Sequence, residues 1–276
     1  MTAPGNWGQD RRYLREVQYR DPTSVTARAE LHRRYATAPV SWVPWVLAQT
    51  GLAGGERVVE VGCGPGWLWE PGPARPAGLS LTVTDVSPAM VGVACHRAAV
   101  GGASASVAVT GAVADAETLP FAARSFDFAV ANHMLYHLRS PETAVAELAR
   151  VLRPGGRVMA ATIGPDHLKE LWELRAAVFG GEARSANTGV FGTGNGRAIL
   201  ERHLDDVEWR EYEDELHCTG ADDVVAYLTS SPPGAEATGD ERAALRSEVE
   251  RRMAAGHGVL VVSKQTGVFL GRTRRR

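Results

Sequence analysis

Arg57-Val58-Val59-Glu60-Val61-Gly62-Cys63-Gly64-Pro65-Gly66 is the stretch around which the rest of the chain is organised. Val58, Val59 and Val61 are β-branched and predict a buried central strand, interrupted near its end by Glu60. Glycines then alternate at 62, 64 and 66. Glycine tolerates positive φ and has no Cβ, so such a turn lets a ligand lie against the backbone itself. Trp67 and Leu68 predict the start of a helix whose amide-rich N-terminus points back at the same place. Strand, glycine turn and helix make a mononucleotide site at the C-terminal edge of a parallel sheet. Pro71-Gly72-Pro73-Ala74-Arg75-Pro76 is too proline-rich to continue that helix, which must be short.

Working outward, residues 79–84 alternate as a second strand that ends at Asp85, about twenty positions after the glycine turn. A carboxylate there presents two acceptor oxygens to a ribose diol, or it caps the helix that Val86-Ser87-Pro88-Ala89-Met90 opens with proline in its first turn. Residues 107–113 read as a third strand, followed by Asp115-Ala116-Glu117-Thr118-Leu119-Pro120-Phe121. Residues 125–132 are a buried fourth strand. Asp127 lies at its start and is read as structural. Asn132, His133, Met134, Tyr136 and His137 fall at its C-terminal edge, where ligands bind in such sheets. Val145, Leu148 and Leu152 mark an amphipathic helix over 141–153, and Leu152-Arg153-Pro154-Gly155-Gly156 turns into a fifth strand.

Elsewhere the pattern predicts helices over 23–35, 41–51, 167–180, 195–204, 222–230 and 240–255. It predicts one strand over 207–219 and one final strand over 258–270. The glycine-rich run 189–196 lacks the Lys-Ser/Thr ending of a phosphate loop and reads as a mobile loop near the substrate.

Composition narrows the function. The chain has 276 residues, 44% hydrophobic and 22% charged, an ordinary globular balance. A formal net charge of −2 calls for neither nucleic acid nor an anionic membrane surface, and Arg272 to Arg276 read as a solvated tail. Cys63, Cys95 and Cys218 form no C-x-x-C pair, which fits a reduced, cytoplasmic protein without a structural zinc site. No apolar signal core or membrane-length apolar run is present, so neither export nor membrane insertion is expected.

The glycine spacing is G-x-G-x-G with Glu60 two residues ahead, unlike the G-x-G-x-x-G of dinucleotide folds. It resembles the E/D-x-G-x-G-x-G signature of class I S-adenosylmethionine (SAM) dependent methyltransferases. The D-x-S-x-x-M, D-A-x-x-L-P-F and L-R-P-G-G stretches repeat that resemblance in order between residues 56 and 162. The resemblance implies an α/β fold: a Rossmann-like doubly wound sheet of seven strands, the last antiparallel. It further implies a helical lid over residues 1–50 and a core over 51–276, with a substrate cap around 165–205. The cofactor implied is S-adenosyl-L-methionine, held by Glu60, Gly62, Cys63, Gly64, Gly66, Asp85, Val86 and Met90, with Asp115, Ala116 and Asn132 and with Tyr19 from the lid. Asp115 accepts from the adenine amine and Met90 lies near the ring in this reading; Tyr13, Gln18 and Arg33 are further lid candidates.

The reaction implied is methyl transfer to an N, O or C nucleophile of a small molecule, with orientation as the protein's main contribution. Histidine has the pKa for a general base, and His133 and His137 are the candidates, His217 being more remote. No pairing of carboxylates points to a metal. A non-catalytic SAM-binding protein, a nicotinamide-dependent oxidoreductase and a methyltransferase of macromolecules are the rival readings. The second lacks its glycine spacing and the third its basic stripe.

Overall fold

In the computed structural model the described residues are 23–70, 72, 75–100, 107–185 and 187–275; Tyr13, Gln18 and Tyr19 lie outside them. The quoted stretch forms β1 (Arg57–Val61), with Val58, Val59 and Val61 wholly buried. It is followed by a single 3-10 turn, Trp67–Trp69, the short helix that the prolines demand. Then come β2 (Ser80–Asp85), α3 (Pro88–Ala99), β3 (Ala108–Val113), β4 (Phe126–Asn132), α4 (Pro141–Val151) and β5 (Leu152–Ile163). Ahead of them stand α1 (Thr23–Tyr35) and α2 (Trp42–Thr50). Proline sits in the first turn of α3 and of α4, and the Ser87 and Ser140 hydroxyls accept from the amides of Met90 and Thr143, so both helices start where proline and serine dictate.

The sheet has seven strands in the order β3-β2-β1-β4-β5-β9-β6, where β6 is Asp205–Tyr212 and β9 is Thr266–Arg272. β1 to β5 pair in parallel, and β9 runs antiparallel between β5 and β6. One apolar layer, with Leu148, Phe191 and Leu200, covers one part of the sheet; another, with Val46, Leu68 and Trp69, covers a second. Asp127 accepts from the Arg57 amide at 2.8 Å and pairs with Arg153 at 3.1 Å, binding β1, β4 and β5 together away from the ligand edge.

Two expected strands are each divided. The stretch 207–219 becomes β6 and β7 (Glu215–Cys218), and 258–270 becomes β8 (Leu260–Ser263) and β9. β7 and β8 leave the main sheet and pair with one another as an antiparallel ribbon. The interruptions fall at Asp214 and at Lys264-Gln265, polar residues that bond sideways and let each chain change sheets.

The ribbon belongs to a cap. Its own core joins Leu31 of α1 to Leu171 and Leu174 of α5 (Lys169–Phe179), Val224 and Leu228 of α8 (Ala221–Leu228), and Leu245 and Val249 of α9 (Gly239–Ala255). The stretch 1–50 thus divides among its described residues: α1 packs in the cap while Val46 and Leu47 of α2 pack on the sheet. The cap takes α5 from within 165–205 and most of its other elements from beyond it. In the glycine-rich run 189–196, a turn joins α6 (Asn187–Val190) to α7 (Gly196–Glu201), and Asn195 Oδ1 accepts from the Gly192 amide at 2.7 Å. No described helix is long and apolar enough to cross a membrane.

Candidate functional site

The three glycines of the turn all have positive φ: 60° at Gly62, 51° at Gly64 and 75° at Gly66. Their surroundings differ. A Cβ on Gly62 would meet Met134 at 2.7 Å, and one on Gly66 would meet the Cα of Ala94 at 2.7 Å. A Cβ on Gly64 would meet nothing within 4 Å. Gly62 and Gly66 therefore let the segment after β4 and α3 approach, whereas Gly64 turns bare backbone to open space. That open face is the cradle a nucleoside needs.

Asp85, at the end of β2, ties this cradle. Its Oδ2 accepts from the Gly64 amide at 3.0 Å and its Oδ1 from the Ser87 amide at 2.9 Å. Burial raises its pKa, against the opposing pull of these amide donors. The amide of Cys63 donates to Thr84 O at 2.9 Å, so the turn is stitched to β2 on both sides. Cys63 is buried, and burial pushes its thiol far up and out of reactive range.

Glu60 is 1% exposed and accepts from the Trp69 indole N–H at 2.7 Å. Burial raises it to about 8, so the protonated form prevails at neutrality. It supports the turn from below, where the sequence suggested a ligand contact; the apolar floor of the sheet leaves the indole as its partner. Met90 is wholly buried, while Val86 is exposed at the edge.

Asp115 follows β3; its Oδ1 accepts from the Glu117 amide at 3.0 Å, and Ala116 beside it is buried. This loop is clamped onto α4: Glu147 accepts from the Leu119 amide at 2.8 Å, and Arg150 donates to Phe121 O at 2.8 Å. At the end of β4, Asn132 Oδ1 is buried without a hydrogen-bond partner among the described residues. An orphaned acceptor is costly, and its place beside the glycine turn fits a donor group on a bound ligand. With the open Gly64 face, the residues present fit S-adenosylmethionine.

His133 has φ 56° and lies against Trp42 of α2, the ring centroids 4.9 Å apart and the planes tilted by 37°. Burial, then the charges of Lys264 and His137, lower it to about 4, so it is neutral at pH 7 and a weak base. His137 lies on the 3-10 turn Leu135–His137, its ring 4.7 Å from that of Tyr136. His217, on β7, is exposed and bound to Glu215, and Arg33 faces solvent in a pair with Glu30; the fold brings neither to the site.

The sequence missed two imidazoles that tertiary structure adds. His32 of α1 stacks on His167, which follows β5, at 6.4 Å between centroids and 10° between planes. Burial lowers both, His32 to about 3, with further lowering from Lys264. His167 carried a readable signal, since it lies just past a parallel strand on the ligand-binding edge. His32 carried none, because a helix position does not announce what it faces.

Comparison with known proteins agrees with this geometry. A family model described as "Methyltransferase domain" matches residues 59–160. The malonyl-[acyl-carrier protein] O-methyltransferase of Hahella chejuensis is 36% identical over 126 residues, 46% of this chain and 43% of the relative, so the chain spans under half that protein's length. The ubiquinone biosynthesis O-methyltransferase of Azoarcus sp. is 30% identical over 169 residues, 58% of this chain and 70% of the relative. Among solved structures, the [4+2]-cyclase SpnF shares the fold, with a TM-score of 0.57 at 19% identity over 100% of this chain and 98% of that one. The chain belongs to the class I SAM-dependent methyltransferases.

Proposed function

We propose that the protein transfers a methyl group from S-adenosylmethionine to a small molecule, in the setting of secondary metabolism. The observation that carries this reading is the open face of Gly64, tethered by Asp85 and flanked by the unpartnered Asn132 Oδ1. The bound donor supplies a methyl carbon already activated by sulfonium charge. The chain's part is to orient: Asp85 keeps the turn open, Val86 and the Asp115-Ala116 loop bound the nucleoside end, and Asn132 marks the edge where the acceptor must approach. Trp42 and His133, in ring contact, wall that edge and keep water from the reacting atoms. A cap with its own apolar core supports a small acceptor.

Calorimetric titration with SAM, S-adenosylhomocysteine and NAD tests this. Micromolar binding of the two sulfur ligands is expected, weakened about 10- to 100-fold in Asp85→Ala as charge-assisted bonds at the turn are lost. Binding of NAD alone would return the turn to the oxidoreductases.

A further inference from the structure

Three imidazoles from three separate elements converge over the C-terminal edge of the sheet: His32 of α1, His133 after β4 and His167 after β5. Each is surrounded by protein yet keeps some solvent-accessible surface, as do side chains that line a concavity. Tyr227 of α8 meets His32 edge-on at 6.1 Å. Arg175 of α5 lies 5.1 Å over the Trp172 ring, and both Arg175 and Arg28 act on the Tyr227 hydroxyl. His133 begins where the SAM edge ends, so this concavity adjoins the donor site.

The polarity of the concavity has a definite sign. His167 Nδ1 accepts from the Gln265 amide at 3.2 Å, so a neutral ring carries its proton on Nε2 and presents a donor there. Gln265 is itself held, its Oε1 accepting from the Asp166 amide at 3.1 Å. Asp214 is a carboxylate that acts on His32. Its oxygens are already engaged by the Thr37 and Ala38 amides, each at 2.9 Å, and by the Lys264 ammonium. An ammonium or amine acceptor would meet the His167 N–H donor and the charge of Lys264, which acts on all three rings. An oxyanion would find a fixed N–H donor in a positive field.

We infer that this concavity is the acceptor site and that it takes a carboxylate, methylated at oxygen, with His167 Nε2–H donating to the carboxylate oxygen that is not attacking. The inference rests on the SAM reading of the adjoining turn. One oxygen lone pair forms the O–C bond as the S–C bond breaks and its electron pair returns to sulfur. Anion and sulfonium cancel, and no proton has to move. The weak basicity of His32 and His133 agrees, because nothing in this step calls for a base. His167 is thus a residue that touches substrate, while the Lys264–Asp214 pair and Gln265 position it.

The test is calorimetric, on protein saturated with S-adenosylhomocysteine, with matched probes: benzoate against benzylamine and phenol, and octanoate against octylamine. Each carboxylate should bind at least ~10-fold more tightly than its neutral or cationic counterpart, the scale of a charge-assisted bond. His167→Leu should erase that preference with S-adenosylhomocysteine affinity unchanged. His167→Gln, which keeps an N–H donor, should retain it and guards against a merely structural loss. Equal or tighter binding of an amine or of phenol, a preference that survives His167→Leu, or no binding of any probe overturns the proposal. Failure of S-adenosylhomocysteine to bind overturns the SAM reading instead; the same panel on the ligand-free protein then judges the concavity by the same criteria.

Discussion

Gly62, Gly64 and Gly66 look alike in sequence, and their surroundings separate them. Alanine at Gly66 would drive its Cβ to 2.7 Å from the Cα of Ala94, backbone that cannot step aside. We expect Gly66→Ala to cost about 1–3 kcal/mol in urea unfolding, as overpacking does. Gly64→Ala meets no atom within 4 Å and bears only the strain of a left-handed residue, about 1 kcal/mol. Its larger effect should fall on SAM affinity, since its methyl would occupy the cradle; a smaller loss of affinity than in Asp85→Ala would count against the cradle. Glu60 makes a second residue-scale prediction. Its folded pKa is raised, so the stability it contributes is complete below the ordinary carboxylate range and is lost as pH rises toward about 8. Glu60→Gln keeps an acceptor for the Trp69 indole and removes that loss. The Tm of the variant should therefore gain on the native protein between pH 5.5 and pH 8.5, the two values at which both are scanned. The acidic residue ahead of the glycines was legible; that it faces the indole was not, because only packing says which side of the strand lies under Trp69.

At the scale of elements, the cap is fastened to the sheet by one polar knot. Asp214, at the break between β6 and β7, holds the α1–α2 link through the Thr37 and Ala38 amides and meets Lys264, at the break between β8 and β9. The Asp214 and Lys264 side chains are 0% and 6% exposed, so removing one partner leaves the other charged in a dry place. Asp214→Asn is expected to lose about 3–5 kcal/mol by urea unfolding, and Lys264→Met combined with it should recover part of the loss. Independent, additive losses would refute the coupling. Each divided strand reads as single in the sequence because alternation carries on through Glu213-Asp214 and apolar residues through both sides of Lys264-Gln265. The β7–β8 ribbon depends on contacts remote in sequence, which periodicity does not encode.

For the whole molecule, the histidines set the response to acid. His32 at about 3, His133 at about 4 and His167 all titrate below the ordinary value near 6.5. Between those limits the unfolded chain binds more protons than the folded one, so stability falls as pH drops below about 6.5. Thermal scans should show Tm falling steadily from pH 6.5 toward pH 4, with a shallower fall in His32→Gln. A Tm that holds level to pH 4 would mean the three rings are not kept neutral together.

The sequence by itself determined the parallel core, the glycine turn, the position of Asp85 and the loop at Asp115, because these are local patterns tied to short-range backbone geometry. It also carries the family's motifs in order between residues 56 and 162. Tertiary structure alone decided the ribbon, the division of the N-terminal helices between cap and sheet, and the meeting of His32 with His133 and His167. Those groups lie up to 135 positions apart, from 32 to 167, and neither spacing nor composition records a contact that only the packed cap creates.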